Sequence, residues 1–375
     1  MYRKTLIICF HPYSYLGGAT ISLCQLLNGL NKKKFKIIYL YLKKDNNLSL
    51  DKNIKVVKIK TQRTFYSIFK LKKIISYYDK KKFKKKIYIS NQNYSNILTS
   101  FILKDFKEFK SILIERNHLD EFKYHDSLKN YFKNLIIKIL MQMNYKKATT
   151  IVGNAKKLSK DLGNFVNAKV KTIYSPTNSK KIMMLSKSYT PLDIKKNKSR
   201  IRLLSVSRFT KRKDLITLLK AFNIVSIKYP NLDLILIGNG SEINNINNFI
   251  KMNKLSKKVF VLPSKKNPFP YFLISDLYIM TSLYEGCPNS IVEAITLNLP
   301  VISSNCNSGP NEILLNGIGG FIFKKQDTFS LAKKIDLFFK NKNLFKKKLY
   351  FAKKKINRFD EKKILKKYNN LIESL

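Results

Sequence analysis

Short apolar runs alternate with helix-length segments along most of this chain, and this alternation constrains the fold more than any other feature. Thr5 to Phe10 is a continuous apolar run, Gly17-Gly18 follows it, and Ile21 to Leu30 has helical periodicity, which predicts a strand, a turn and a helix. Repeats of that unit are typical of a parallel sheet covered by helices on both faces. Further strands of this sheet are predicted at Phe35 to Leu42, Ile54 to Ile59, Ile87 to Ser90, Ile112 to Glu115 and Thr149 to Val152.

The same alternation restarts after a polar, lysine-rich stretch at residues 179–200, which we interpret as a linker. A chain of 375 residues exceeds the usual size of one hydrophobic core, so two domains are expected. We predict domains at 1–178 and 201–355. In the second domain, strands are predicted at Leu203 to Val206, Leu232 to Ile237, Val259 to Leu262, Leu277 to Met280, Val301 to Ser303 and Gly320 to Phe323, and helices at Asp214 to Tyr229 and Glu242 to Leu255.

The charge of the chain is strongly positive, with 74 basic and 23 acidic residues and a formal net charge of +51. Such a balance favours an acidic partner such as nucleic acid, anionic lipid or a phosphorylated substrate. A/T-biased codon usage is the alternative, because the chain has 66 lysines, only 8 arginines and no tryptophan. Both explanations stay open at this point.

Cysteine usage and hydropathy indicate a cytoplasmic protein. Cys9, Cys24, Cys287 and Cys306 show neither CxxC spacing nor a dense framework, so neither a zinc site nor a disulfide scaffold is indicated. No apolar run approaches the roughly 18 residues that cross a bilayer, and Thr5 to Phe10 is too short for a signal peptide. We expect a protein that is soluble or peripheral to a membrane.

Glycine is scarce, and its placement points to ligand-binding loops. Nine of the 12 glycines fall in five short segments, at inferred strand ends or tight loops. Ligands of open α/β sheets bind at the carboxyl ends of the strands, where glycine lets backbone N–H groups approach a phosphate. The five segments are Gly17-Gly18, Gly238-Asn239-Gly240, Gly286, Gly309 and Gly317 with Gly319-Gly320. Ordinary turn chemistry accounts for the last of them.

The segment from Tyr284 to Ala294 places two glutamates around a Gly and a Pro. Pro288 and Asn289 are expected to start a helix, which leaves Glu285 in the preceding loop and puts Glu293 in the first turn. Both carboxylates can then face one cleft and accept hydrogen bonds from the vicinal hydroxyls of a sugar or ribose. For Glu293 the alternative is structural, because Ser290-x-x-Glu293 matches a helix capping box.

A basic segment, Ser207 to Asp214, follows the first predicted strand of the second domain and precedes its first helix, a position suited to gripping a diphosphate. Lysine carries little information in so lysine-rich a chain. Arg208 carries more, because arginine is rare here and its fork matches phosphate oxygens.

These segments together resemble the successive motifs of the family 4 retaining glycosyltransferases, which have the GT-B fold of two doubly wound Rossmann-like domains facing a cleft. Gly17 to Ala19 resembles the amino-terminal glycine loop of that family. Residues 356–375 resemble its terminal helix, which crosses back to the first domain. The other matching segments are Arg208 to Lys213, Gly238 to Gly240, Tyr271 to Asp276, Glu285 to Glu293 and Ser308 to Ile313.

The resemblance implies a role for each matched position. Arg208 and Lys213 would bind the donor diphosphate, Glu293 the ribose hydroxyls, and Glu285 the transferred sugar. Backbone groups of the segment Gly286-Cys287-Pro288-Asn289 would also reach that sugar. The Gly17-Gly18 loop would approach the distal phosphate, and Gly238 and Gly240 belong to the same donor site.

Two departures from the family pattern stand out. Asp214 stands where the family commonly has Gly, and Ser175 where it commonly has Asn. Neither removes a side chain assigned to the chemistry.

His118 follows an inferred strand of the first domain and is a candidate for a catalytic or acceptor-binding role. A structural role is the alternative.

The expected reaction is retaining transfer of a hexose or N-acetylhexosamine from a UDP-sugar to a lipid-linked or saccharide acceptor. The sequence has no DxD triplet, so no metal site or other cofactor is expected, and cations and helix ends would stabilise the leaving diphosphate. Two rivals remain. One is a basic nucleic-acid-binding protein, although the sequence shows no motif that recognises specific nucleic-acid sequences. The other is a GT-B sugar-nucleotide epimerase or a glycogen-type synthase.

The segment from Thr64 to Lys86 predicts contact with an anionic membrane at its inner face, because it mixes aromatic rings with lysines. Leu128 to Tyr145 has a similar basic, amphipathic pattern, and its interpretation stays open. For both, the alternative is a core-facing helix, followed in the first case by a solvated lysine run.

Overall fold

The computed structural model describes residues 4–15, 17–44, 49–125, 127–194, 197 and 199–375. The chain divides into two compact units. Unit 1 comprises residues 1–176 and 361–375, and unit 2 comprises residues 177–360.

Unit 1 is built on a parallel sheet whose strand order is β5-β3-β1-β6-β7-β8-β9 in the described residues. Its central strands are buried along their whole length, as the continuous apolar runs predict. A short parallel pair, β2 with β4, lies beside it. The strands are β1 (Thr5–Phe10), β2 (Tyr13–Ser14), β3 (Phe35–Tyr41), β4 (Lys43–Lys44), β5 (Lys55–Lys58), β6 (Lys86–Asn91), β7 (Phe109–Glu115), β8 (Thr150–Gly153) and β9 (Val170–Thr172).

The helices of unit 1 follow its strands and include the last helix of the chain. That helix packs against the first helix of the chain. The contact is so close that a Cβ at Gly29 would lie 2.3 Å from a methyl carbon of Leu365. Nearby, Glu373 pairs with Lys34 at 3.2 Å. The return of the terminal helix to the first domain is thereby confirmed. The helices are α1 (Gly18–Gly29), α2 (Ile68–Asp79), α3 (Asn93–Leu103), α4 (Leu128–Tyr145), α5 (Lys156–Val166) and α14 (Glu361–Ser374).

Unit 2 is built on a second parallel sheet, with strand order β12-β11-β10-β13-β14-β15 in the described residues. Its core packs apolar side chains of helices α7 and α12 against β10 and β11. The strands are β10 (Ile201–Val206), β11 (Leu232–Ile237), β12 (Val259–Leu262), β13 (Leu277–Met280), β14 (Val301–Ser304) and β15 (Phe321–Phe323). The helices are α6 (Ser179–Ser186), α7 (Leu215–Lys228), α8 (Ile243–Met252), α9 (Phe269–Leu273), α10 (Asn289–Thr296), α11 (Gly309–Ile313), α12 (Thr328–Lys340) and α13 (Lys342–Lys355).

The structure differs from the expected boundaries at both crossings between the units. Residues 179–200, predicted as a linker, begin with helix α6 and belong to unit 2. The helix is capped by the side chain of Asn178, which accepts a hydrogen bond from the Lys181 N–H at 2.9 Å, and it buries Ile182. Residues 356–360 also belong to unit 2, so only α14 joins unit 1.

Both sheets have a point at which the strand order reverses direction. In unit 1, β1 lies between β3 and β6, and in unit 2, β10 lies between β11 and β13. Loops leave such neighbouring strands to opposite sides, and the crevice between them is the usual ligand site of open α/β sheets. The residues after β10 and β13 are therefore the candidate ligand-binding residues of unit 2.

Within the described residues, no helix is both long enough and apolar enough to cross a bilayer.

Candidate functional site

The basic segment predicted to bind a diphosphate follows β10 at this reversal point. Residues Lys211–Lys213 form a single 3₁₀ turn, which the loop after β13 holds in place. The Thr281 hydroxyl donates to the Lys213 carbonyl at 2.7 Å, and the Leu283 N–H donates to the Arg212 carbonyl at 2.8 Å. The cations of this turn are thus fixed beside the segment that carries Glu285.

Asp214 explains how the chain departs from the family pattern without loss of the turn. Its backbone adopts φ 46° and ψ 47°, the left-handed conformation that glycine favours and that Asp tolerates better than most residues. It is the C-cap of the 3₁₀ turn and the N-cap of α7.

Lys213 and Glu285 form a buried ion pair, in which the Lys213 ammonium donates to Glu285 Oε1. Their side chains are only 13% and 8% exposed. Burial alone would raise the pKa of Glu285, but Lys213 and Arg212 outweigh it and lower the pKa to about 2. Glu285 is therefore ionised at neutral pH, and its charge is already engaged by a cation.

Two arginines complete a group of charged side chains that we call the cation cluster: Arg208, Arg212 and Lys213 around Glu285. Arg208 is exposed, and Arg212 is half-buried with its guanidinium carbon 5.6 Å from the centre of the Tyr284 ring. Burial lowers the pKa of Lys213, Glu285 opposes that shift, and Arg212 and Arg208 reinforce it. Three cations and one carboxylate meet here, an arrangement that attracts an anion.

Glu293 lies in α10, one position past its first turn rather than within it. The capping-box alternative is wrong, because Pro288 is the N-cap and no side chain caps this helix. Burial raises the pKa of Glu293 to about 7. Glu293 and, more weakly, Glu285 also add to the effect of burial in raising the pKa of Tyr278 on β13. Both carboxylates therefore lie near one strand end, and Glu293 is suited to accept hydrogen bonds from a ligand.

Gly238 and Gly240 shape the site through its backbone. A Cβ at Gly238 would lie 1.8 Å from the Ser207 carbonyl oxygen, and one at Gly240 would lie 2.1 Å from that of Phe209. The Phe209 N–H donates to the Asn239 carbonyl at 2.8 Å. These glycines let the loop after β11 pack directly on the loop that carries Arg208.

Gly286, in the loop after β13, is in close backbone contact with Gly309. Its carbonyl accepts the Gly309 N–H at 2.7 Å, and a Cβ at Gly309 would lie 1.9 Å from that oxygen. Cys287 and Pro288 are buried, and Asn289 begins α10. The first turn of that helix directs its backbone N–H groups toward the same edge of the sheet. The structure thus brings Glu285, Cys287, Pro288, Asn289 and Glu293 together with the cation cluster.

In unit 1, the glycine loop also lies where the strand order reverses. Gly17 is the N-cap of α1 and Gly18 its first residue, and both follow β1. Their assignment to the donor remains a prediction.

His118 has a structural position. Its Nδ1 accepts the Asp120 N–H at 3.2 Å, and its Nε2 lies 2.8 Å from Asp161 Oδ2. It thereby caps the short 3₁₀ helix Leu119–Lys123. Because both ring nitrogens are engaged and the side chain is buried, this geometry favours the structural alternative over a catalytic base.

A buried polar network at the carboxyl edge of the first sheet was not predicted from the sequence. Arg116 Nε donates to Asn91 Oδ1 at 2.9 Å and its Nη1 donates to Ser175 Oγ at 3.0 Å. Asn91 in turn contacts His11 Nδ1 at 3.2 Å. Ser175, the second departure from the family pattern, thus has a partner. The sequence also predicted no role for Arg212, although the rarity of arginine applies to it as much as to Arg208.

The segment from Thr64 to Lys86 has two faces. Leu71, Ile75 and Tyr78 of α2 are buried, as the core-facing alternative requires, while Phe65 and Phe69 are exposed. The lysine run is not wholly solvated. Lys86 is buried and pairs with Glu108 and, at 3.4 Å, with Asp79.

Within the residues that the structure describes, no group of three or more His, Cys, Asp or Glu side chains is arranged to hold a metal ion.

Comparison with known proteins matches most of the second unit to a protein family. Residues 191–358 match the family described as glycosyl transferases group 1. An uncharacterized glycosyltransferase of Methanocaldococcus jannaschii is 32% identical over 256 residues, which cover 66% of this chain and 61% of that protein. The N-acetylgalactosamine-N,N'-diacetylbacillosaminyl-diphospho-undecaprenol 4-alpha-N-acetylgalactosaminyltransferase of Campylobacter jejuni is 25% identical over 63% of each chain. The chain thus spans less than two thirds of the length of these two relatives.

Among solved structures, Anabaena HepE in complex with UDP superimposes with a TM-score of 0.78 and 18% sequence identity. The match covers 99% of this chain and 100% of HepE. At this identity the likeness shows the fold, which is GT-B with two Rossmann-like sheets, as the sequence predicts.

Proposed function

We propose, since residues 191–358 belong to the family of glycosyl transferases group 1, that this chain is a retaining glycosyltransferase. Its donor is a UDP-sugar that carries a hexose or N-acetylhexosamine. Its acceptor is a lipid-linked saccharide or a surface polysaccharide.

The observation that carries the proposal is the cation cluster at the reversal point of the second sheet. Arg208, Arg212 and Lys213 supply three positive charges, of which Glu285 neutralises one. A nucleoside diphosphate matches that excess, since its charge grows as the sugar departs. The backbone N–H groups of the first turn of α10 add to the stabilisation of the leaving phosphate.

Glu293 supports the assignment of a nucleoside donor. It is a half-buried carboxylate whose pKa is raised by burial to about 7, so a pair of ribose hydroxyls that donate to it relieves the cost of its ionisation. Uridine is the nucleoside we favour, and the UDP bound to HepE, which shares this fold, supports that choice.

The reaction proposed is displacement at the anomeric carbon. The bond between this carbon and the β-phosphate oxygen breaks, and the acceptor hydroxyl oxygen bonds to the carbon from the same face. The hydroxyl proton passes to the departing diphosphate. Glu285 acts as an oriented charge and sugar ligand rather than as a covalent nucleophile, because Lys213 already occupies one of its oxygens. We propose that no divalent cation is needed, since the cation cluster supplies the charge that such an ion would.

The acceptor class rests on the relatives. The C. jejuni protein is named for transfer to a diphospho-undecaprenol acceptor. We place the reaction at the inner face of the cell membrane. The four cysteines, all free and buried, fit a reducing compartment.

A panel of nucleotide sugars, incubated with a polyprenyl-diphosphate disaccharide, tests the proposal. We expect release of UDP and a lengthened lipid-linked product whose new linkage keeps the anomeric configuration of the donor. Release of a free epimerised nucleotide sugar would favour the epimerase alternative, and no turnover of any donor would reject the proposal. A filter-binding assay with duplex DNA at physiological salt addresses the nucleic-acid alternative, for which we expect only weak, salt-sensitive retention.

A further inference from the structure

Helix α4 in unit 1 carries an apolar stripe that faces away from the protein. The side chains of this stripe are 42–78% exposed, whereas Ile137, Met141, Asn144 and Tyr145 of the same helix are buried. At about 100° per residue the exposed residues occupy an arc of about 140° on the side of the helix opposite to the buried ones. The stripe consists of Leu128, Tyr131, Phe132, Leu135, Ile136, Ile139 and Met143.

Lysines border this stripe on both sides. Lys129 and Lys133 lie along one edge and Lys138 along the other, about 90–130° from the centre of the stripe. Lys146 and Lys147 follow the end of the helix. The sequence has no acidic residue from Ser127 to Lys160, and within the described residues none of these five lysines pairs with a carboxylate. Long lysine stems can cover the edges of an apolar stripe while their ammonium groups reach toward anions.

Exposed aromatic rings also lie on the neighbouring helix α3. Helix α3 packs beside α4, with the Ser100 hydroxyl donating to Asn144 Oδ1 at 2.6 Å. Tyr94 and Phe101 of α3 are 45% and 44% exposed, and the Lys133 ammonium lies 5.5 Å from the centre of the Tyr94 ring. Aromatic rings beside lysines are typical of surfaces that lie at a lipid–water interface.

We propose that α4 is the helix through which this protein docks on an anionic lipid bilayer. It lies in the plane of the interface, with the stripe at the level of the first acyl carbons and the bordering lysines at the phosphates. This inference rests on the proposed function for its purpose, which is to bring the enzyme to a lipid-linked acceptor. Its physical basis is separate from the donor site.

The charge of the helix favours a bilayer over a second copy of the chain as the occupant. Two copies packed stripe to stripe would bring their bordering lysines together, on molecules that each carry a formal charge of +51. An anionic bilayer offers both an apolar phase and negative charge. The proposal also moves the main membrane contact from Thr64–Lys86 to α4, because Lys72 and Lys86 of that segment are paired with the carboxylates of Asp105 and Glu108.

Vesicle binding tests the proposal if each variant is matched by a control with the same change in charge and a similar change in hydropathy. The stripe variant is Phe132→Gln/Ile136→Gln/Ile139→Gln, and its control is Ile227→Gln/Met252→Gln/Phe329→Gln, three residues of unit 2 that are 71–82% exposed. The lysine variant is Lys129→Gln/Lys133→Gln/Lys138→Gln, and its control changes the exposed Lys251, Lys346 and Lys347 of unit 2 to Gln. The probe is a vesicle of equimolar phosphatidylcholine and phosphatidylglycerol, assayed by sedimentation at low and high salt.

We expect the stripe variant to lose at least about tenfold in vesicle affinity at both salt concentrations. The lysine variant should lose about fivefold per lysine at low salt and little at high salt. Both controls should bind like the wild type, and all proteins should keep the same affinity for UDP.

Three results would overturn the proposal. One is a wild type that ignores these vesicles at low salt. Another is equal loss in the α4 variants and their controls, which would indicate diffuse attraction by the total charge. The third is a wild-type dimer that the stripe variant dissociates, which would make a second copy the occupant. If vesicle binding follows the prediction but no variant binds a nucleotide, the proposed function fails and the docking surface stands.

Discussion

Replacing Glu293 by glutamine is expected to make the protein more stable while weakening its hold on the donor. Burial raises the pKa of Glu293 from 4.5 to about 7 in the folded protein. Below pH 4.5 the carboxyl is protonated in both the folded and the unfolded state, and it costs nothing. Above pH 7 it is ionised in both, and the folded state bears a penalty of at most about 3 kcal/mol.

The Glu293→Gln variant removes that penalty. At pH 8 its free energy of unfolding should therefore exceed that of the wild type by up to about 3 kcal/mol, and the difference should vanish as the pH falls from 7 to 4.5. At about 2–4 °C per kcal/mol for a unit of this size, the melting temperature should rise by several degrees. Urea unfolding at pH 5 and pH 8 measures both values.

Donor binding should change in the opposite direction. Ribose hydroxyls donate only to the ionised carboxylate with full strength, so UDP affinity of the wild type should rise with pH through 7, and binding near pH 6 should release about one proton. In Glu293→Gln the proton release should disappear and UDP should bind at least about tenfold more weakly. Calorimetry in buffers of different ionisation enthalpy measures the proton. A variant that is less stable than the wild type at pH 8, or that binds UDP equally well, would refute this reasoning.

Three further predictions concern the Lys213–Glu285 pair, His118 and the need for a metal ion. Lys213→Met should destabilise the protein by about 3–5 kcal/mol at pH 7, because it leaves the Glu285 charge buried without its main partner. The double variant Lys213→Met/Glu285→Gln should recover most of that loss in urea unfolding. Equal stability of the single and the double variant would contradict a buried pair. His118→Gln should cost about 1 kcal/mol of stability through its lost cap and leave the rate of sugar transfer within about threefold, whereas a large loss of rate at unchanged stability would restore the catalytic assignment. Transfer assayed after treatment with EDTA should keep its rate, and rescue of a lost rate by added Mg²⁺ or Mn²⁺ would show that the cation cluster is insufficient.

Much of each sheet was predictable because buried parallel strands are continuous apolar runs, and such runs are visible without knowledge of their neighbours. Strand β9 was missed because Val-Lys-Thr lies at the sheet edge and needs little hydrophobicity. The site after β10 and β13 was predictable for a related reason. Parallel strands end at one edge, so segments far apart in sequence converge there once the strands are identified.

Side-chain partners and helix faces were not predictable in the same way. Helix α4 has two apolar stripes, one through Ile137 and Met141 and one through Phe132 and Ile136, and periodicity does not tell which of them the sheet covers. Lys86 reads as the end of a lysine run, yet β6 places it between Asp79 and Glu108. The capping-box pattern at Glu293 was misleading because the N-cap of α10 is Pro288, two residues before Ser290.

Calorimetric titration of UDP and of uridine into the wild type and into Arg208→Gln tests the central claim most directly, because the two ligands differ only in the diphosphate. Arg208 is exposed, so the variant should fold like the wild type, and Lys346→Gln, also exposed, controls for the lost charge. We predict that Arg208→Gln weakens UDP binding by at least about tenfold while uridine affinity stays unchanged, and that Lys346→Gln affects neither ligand. UDP affinity that is equal in Arg208→Gln and the wild type would contradict the account.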